Sequence, residues 1–147
     1  MSGPNYASIL DVPMDQVKPP SPAPEGTYLC MVAGLPREDK STTKGTDYYE
    51  FTLGVIKAMD DVDEDELNEW LDGESLQSKS FPITFYLTDK SLYRLKDFYE
   101  HCGLEVEGKS AKQLKDYTPN CQVYAFVKQK PAESGRIFSN VVRTAAV

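Results

Sequence analysis

Alternating apolar and polar residues predict a β-hairpin near the end of the chain. Residues 121–143 alternate with period two on both sides of a turn, KPAESG. One face of the first strand is small and apolar, and the other carries Gln122, Tyr124, Phe126 and Lys128. Period two shows which side chains share a face, but it leaves open whether that face is core or surface.

Three earlier segments also read as strands. Residues 26–35 are apolar with mixed parity, which indicates burial on both faces, and a polar loop, PREDKSTTKGT, follows them. Residues 47–58 alternate, and residues 79–88 contain Pro82, which is typical of an edge strand or a strand start. The core residues expected on these strands are Tyr49, Phe51 and Phe85.

Helical periodicity predicts three helices. The first, residues 60–73, is acidic, with Asp63 and Glu66 in capping-box positions and a stripe of Leu67, Trp70 and Leu71. Trp70 either pins this helix to its own domain or anchors a partner protein. The second is capped by Thr88 or Asp89 and runs through His101, and the third covers residues 110–117, with Ser110 and Gln113 in capping positions.

The element order is strand, strand, acidic insertion, strand, helix, strand, strand. It predicts a mainly β domain with helices, a five-stranded OB-fold barrel with a helix between strands 3 and 4 and an acidic helical insertion, residues 60–74, between strands 2 and 3. A five-stranded sandwich is the alternative fold.

The predicted OB-fold domain covers residues 26–147. Residues 1–25, rich in proline, form either a flexible N-terminal arm or an apolar clip made by Tyr6, Ile9, Leu10, Val12 and Met14.

Charge is distributed unevenly along the 147 residues, whose formal net charge is −7. Nine acidic residues and no lysine or arginine lie between positions 60 and 74. Outside that segment and the first 25 residues, 15 basic and 11 acidic residues remain, a net charge of +4. The rest of the domain is therefore mildly basic, and this charge is compatible with a nucleic-acid partner. We expect the acidic segment to stand away from any nucleic-acid groove; if it lies near the groove, it competes with the nucleic acid for cations.

The sequence contains little that suggests catalysis. Its only histidine, His101, falls at a predicted helix C-terminus, and no nucleophile elbow or phosphate loop is present. We expect no enzyme activity, cofactor or metal; a metal-dependent nuclease is the least unfavourable enzyme. The three cysteines lack metal-type spacing, and no apolar run is long enough for a membrane span. These features predict reduced cysteines in a cytoplasmic protein.

Four segments resemble small phage-encoded single-stranded-DNA-binding proteins of the OB type: PEGTYLCMVAG, TTKGTDYYEFTLGV, SLYRLKDFYEHCGLE and GRIFSNVVR. The resemblance covers about residues 22–144. The chain departs from it in the acidic insertion and in ending RTAAV, where many single-strand binders carry an acidic tail. The resemblance implies sequence-tolerant binding of single-stranded DNA in phage DNA replication or recombination, with proteins of those processes as further partners. The alternative is a protein-interaction module acting through the acidic helix.

Rings that stack on bases and cations that contact phosphates are the expected site residues. The stacking candidates are Tyr48, Tyr124, Phe126 and Phe138; if the hairpin rings are instead core, this assignment fails. The candidate phosphate contacts are Lys40, Lys44, Lys57, Lys79, Lys128, Lys130, Arg136 and Arg143. Trp70 is the candidate partner-binding residue.

Overall fold

The computed structural model of the chain describes residues 10–16 and 21–147. Within them lie six strands and three α-helices. The strands are β1 (Gly26–Val32), β2 (Arg37–Lys40), β3 (Asp47–Ala58), β4 (Ser80–Tyr86), β5 (Gln122–Pro131) and β6 (Ile137–Ala146). The helices are α1 (Glu64–Leu71), α2 (Leu92–His101) and α3 (Ala111–Leu114), with short 3-10 turns at Met14–Gln16, Leu76–Ser78 and Lys115–Tyr117.

The strands form one open antiparallel sheet in the order β2-β3-β1-β5-β6, and β4 pairs with β3 as well. Six strands are present where five were predicted, because β2 lies in the segment that was read as a loop. Its sequence, REDK, is fully exposed and has no alternating pattern, so only its pairing with β3 reveals it. Within the described residues, β4 and β6 lie close together but are not paired in a β-ladder.

The core lies under one face of the sheet and is closed by α2. Tyr49, Phe51 and Phe85 are buried as predicted, and α2 adds Leu95, Phe98 and Tyr99. The rings of Phe51 and Phe98 lie 4.9 Å apart. Aromatic packing of this kind contributes beyond the buried area alone, and it joins the helix to the sheet.

Strand β1 is buried on one face only, so the prediction of burial on both faces was wrong. Tyr28, Cys30 and Val32 point into the core, whereas Leu29 is half-buried and Met31 is 36% exposed. Because the outward-facing side chains of β1 are also apolar, the sequence suggested burial on both faces. The outer surface of the sheet is therefore partly apolar and accessible.

Local capping signals in the sequence were mostly right. The Asp63 carboxylate accepts a hydrogen bond from the Glu66 backbone N–H at 2.9 Å, although α1 is shorter than predicted at both ends. Ser110 and Gln113 form a reciprocal capping box at α3. Helix α2 begins at Leu92 with Ser91, and not Thr88 or Asp89, in the N-cap position, and one turn earlier the Thr88 hydroxyl accepts a hydrogen bond from Ser91 N–H at 3.2 Å.

The last residues before β1 pack against the turn end of the hairpin, at Gln129 and Ser139. Ala23 is buried, and its carbonyl accepts hydrogen bonds from Gln129 Nε2 at 3.0 Å and from Ser139 Oγ at 2.5 Å. Tyr6 and Ile9 of the predicted clip lie outside the described residues. The other three clip residues, Leu10, Val12 and Met14, are exposed. The division of the chain at residue 25 stays a prediction.

Candidate nucleic-acid interface

The hairpin presents rings and cations on the outer surface of the sheet. We call the outward-pointing side chains of the two strands the hairpin face. They are Tyr124, Phe126, Lys128, Lys130, Phe138, Asn140 and Arg143. Directly opposed residues of antiparallel strands point to the same side, and the register pairs Phe126 with Arg143, Lys128 with Asn140, and Lys130 with Phe138. Tyr124 and Phe126 are half-buried and Phe138 is 46% exposed. The hairpin rings therefore lie outside the core.

Arginine side chains cover two of these rings. The Arg143 guanidinium carbon lies 3.9 Å from the centroid of the Phe126 ring, and that of Arg136 lies 5.4 Å from the Phe138 centroid. No carboxylate of the described residues forms an ion pair with either arginine, or with Lys128 or Lys130. The positive charge of the hairpin face is thus not neutralised by direct pairing.

Strand β1 extends this surface toward β3. Leu29 lies opposite Tyr124 on one side and Lys57 on the other, so Lys57 shares a cross-strand row with Tyr124. Thr27 lies opposite Phe126. The contribution of β1 was missed in the sequence, because Leu29 and Met31 are as apolar as the buried residues between which they lie.

A second aromatic pair, the tyrosine patch, consists of Tyr48 and Tyr86 on β3 and β4. Their ring centroids lie 5.9 Å apart in an edge-to-face arrangement. Arg37 lies over the Tyr48 ring at 5.5 Å and donates a hydrogen bond to its hydroxyl at 2.7 Å. Sequence reasoning named Tyr48 but neither Tyr86 nor Arg37, since Tyr86 becomes its neighbour only through strand pairing.

Acidic partners surround the cations of the tyrosine patch. Arg37 pairs with Asp39 at 3.1 Å and with Glu50 at 3.5 Å, and Lys40 pairs with Asp47 at 2.7 Å. Lys44 is exposed in the loop between β2 and β3. Of the predicted phosphate contacts, Lys40 and Lys44 therefore lie at this patch and apart from the hairpin face.

Lys79 and Trp70 form a third group, at the acidic helix. Trp70 stacks on Phe81 with centroids 5.7 Å apart, and Lys79 lies 5.4 Å from the Trp70 centroid while pairing with Glu74 at 3.0 Å. Trp70 thus attaches α1 to its own domain; its use as a partner anchor stays a prediction. Lys79 is not brought together with the hairpin face.

The start of the acidic segment lies beside the hairpin rings. Asp60 and Asp61 line a depression of about 400 Å³ together with Thr27, Met59, Tyr124 and Phe126. The first residues of the segment therefore lie next to the candidate interface, and α1 follows further along the chain; that the segment stands away from a nucleic-acid groove stays a prediction.

Hydrogen bonds from β1 hold Asp61 in that position. Thr27 donates to Asp61 from its backbone N–H at 2.9 Å and from its hydroxyl at 2.7 Å, and these bonds lower the pKa of the Asp61 carboxyl. Gly26 has φ +140° and leaves space for the segment, since a Cβ there would lie 2.7 Å from Val62 Cγ2. These two contacts explain why the segment meets the sheet here.

The remaining reactive groups show little activation. Burial raises the pKa values of the Cys30 and Cys102 thiols to about 12, so both are protonated at neutral pH. Within residues 10–16 and 21–147, no cluster of histidine, cysteine or carboxylate side chains is suited to hold a metal ion. No helix of the described part of the chain is long and apolar enough to cross a membrane.

The chain matches no protein-family model, and no curated protein matches it. Among solved structures, it is similar to a chain from yeast RPA bound to ssDNA, with 7% sequence identity and a TM-score of 0.33. That alignment covers 97% of this chain and 85% of the other. A likeness this weak does not establish a shared fold, and the function proposed below is independent of it.

Proposed function

We propose that the chain binds single-stranded DNA, with little sequence preference, on the hairpin face. The observation that carries the proposal is the contact of Arg143 with Phe126, 3.9 Å from cation to ring centroid, on an open surface where no carboxylate of the described residues pairs with this arginine. Bases stack on rings and on guanidinium planes, and the same guanidinium attracts phosphate.

In this mechanism the strand runs across β1, β5 and β6. Bases stack on Tyr124, on the Arg143–Phe126 pair and on Phe138, while Lys57, Lys128, Lys130 and Arg136 contact phosphates. Stacking is sequence-tolerant because every base has a π-face, and each stacked base contributes about 1–3 kcal/mol. Two or three stacked bases supply most of the affinity, since the net charge of −7 gives little long-range attraction.

An OB-type barrel is the proposed architecture behind this surface. It is supported by the pairing of both β1 and β2 with β3, which makes them one bent strand interrupted by residues 33–36 and reduces six strands to five. The contact of β4 with β6 beside α2 marks where the barrel would close. The sequence resemblance supports a setting in phage DNA replication or recombination.

The test is a fluorescence-anisotropy titration of the full chain with a labelled oligothymidine, a mixed-sequence single strand and the matching duplex. We expect similar affinities for the two single strands and much weaker binding of the duplex. Measurements at about 50 and 200 mM salt separate the stacking contribution from the charge contribution. Equal affinity for duplex and single strand contradicts the stacking mechanism. Absence of binding to either at the lower salt leaves the protein-interaction module as the better proposal.

A further inference from the structure

A cleft of about 180 Å³ lies where β4 and β6 approach without pairing. Helix α2 contacts both strands there. The polar residues that line the cleft are Arg94, Asp97, His101, Arg143 and Thr144. None of them except Arg143 belongs to the predicted interface, so the cleft has no assigned role.

The spacing of the helical residues explains their convergence. Arg94, Asp97 and His101 are separated by three and four positions, which places them on one face of α2, toward β6. His101 Nδ1 lies 2.8 Å from Thr144 Oγ1 of β6, and this hydrogen bond orients the imidazole ring. When Nδ1 accepts the threonine proton, Nε2 carries the hydrogen and can donate it to an anion.

The balance of charge in the cleft favours an anion. Arg94 and Arg143 bring two positive charges, and Asp97 is the one acidic side chain that lines the cleft. No carboxylate of the described residues, Asp97 included, forms an ion pair with either arginine. A concave site with guanidinium groups that form no ion pair and with an imidazole N–H is suited to phosphate. Phosphate oxygens can accept several hydrogen bonds from one planar guanidinium group.

Arg143 borders both the cleft and the hairpin face, where it covers Phe126. A strand stacked at Phe126 therefore has the cleft within reach of its next phosphates. We propose that the cleft holds a backbone phosphate of the bound single strand as it leaves the hairpin face, with Arg94 and His101 Nε2 as its donors and Arg143 at its border. This inference rests on the function proposed above, and it adds Arg94 and His101 to the interface.

The experiment compares Arg94→Gln with Lys96→Gln in the full chain, using oligothymidines of increasing length. Lys96 is a matched control because it lies on α2, is not among the cleft residues and pairs with Glu100 at 3.6 Å. Oligonucleotides that cover only the hairpin face should bind both variants like the wild type. With longer ones, Arg94→Gln should bind about tenfold more weakly, and the slope of log affinity against log salt should fall by about 0.7.

Two further measurements keep the result interpretable. Thermal melting of each variant checks folding, and Arg94→Lys, which keeps the charge, should recover part of the lost affinity. Equal behaviour of Arg94→Gln and Lys96→Gln at every length overturns the inference while the proposed function stands, provided that Phe126→Ala still weakens binding. A wild-type chain that binds no single strand overturns both.

Discussion

The hairpin face and the tyrosine patch both combine arginine with aromatic rings, but they differ in the number of carboxylates that pair with the arginine. Each has an arginine over an aromatic ring, at 3.9 Å for Arg143 on Phe126 and 5.5 Å for Arg37 on Tyr48. Arg37 also pairs with two carboxylates, whereas Arg143 forms no ion pair with a described residue. The comparison teaches that cation–ring geometry alone does not make an anion-binding surface; the neighbouring acidic groups decide whether the cation is available.

The largest expected effect is on the hairpin rings. Phe126→Ala should weaken single-strand binding by about 1–3 kcal/mol, roughly 5- to 150-fold, because it removes a stacking surface and the support of Arg143. Tyr48→Ala is the matched control and should change affinity little. Anisotropy titrations of both variants measure the difference, and equal losses would show that the two surfaces contribute equally to binding.

Phe138 tests the same surface with less risk to folding. Because it is 46% exposed, Phe138→Ala should weaken binding by about 1 kcal/mol while the melting temperature stays nearly unchanged. Circular dichroism and anisotropy give the two readouts. A stability loss of roughly 3–5 kcal/mol would instead identify Phe138 as a core ring.

Substitution of the arginines separates the contribution of charge to binding from the contribution of stacking. Arg143→Gln should reduce the slope of log affinity against log salt by about 0.7, the value for one phosphate contact on a single strand. Arg37→Gln removes the same charge from the tyrosine patch and should leave the slope unchanged. If both substitutions reduce the slope equally, the carboxylates around Arg37 do not neutralise it.

The acidic residues beside the hairpin rings should oppose binding. Asp60→Asn should tighten it up to about fivefold at low salt, with the effect fading as salt rises, because exposed charges contribute at most about 1 kcal/mol and are screened. Glu64→Gln, in the first turn of α1, is the matched control and should have a smaller effect. Unchanged affinity for Asp60→Asn at low salt would mean that the depression is not on the path of the strand.

The smallest effect concerns stability and pH. Hydrogen bonds from Thr27 hold the pKa of Asp61 below its ordinary value of 3.8, so the folded state binds this proton less readily than the unfolded chain. The resulting stabilisation is present above pH 3.8 and is lost as the pH falls through the lowered pKa. Urea unfolding of wild type and Asp61→Asn should differ near neutral pH and converge in acid. A difference that persists in acid would contradict the assigned cause.

The hairpin, the acidic helix and the capping residues could be predicted from the sequence because they depend on neighbouring positions. Alternation places Tyr124, Phe126 and Lys128 on one face whatever the rest of the chain does. The bond from Glu66 N–H to Asp63 spans three residues and follows from the same local geometry. Strand β2 could not be found in this way, since four charged residues carry no pattern and only β3 gives them a ladder.

Tertiary structure alone decided which face is accessible and which charges are free. Period two is silent about solvent, so burial of Tyr28 and exposure of Met31 became distinguishable only once the core had formed on one side of the sheet. Asp61 reaches Thr27 across 34 positions, and Lys115 reaches Glu38 across 77. Because electrostatic interaction depends on separation in space and not along the chain, the availability of each cation was decided by the fold.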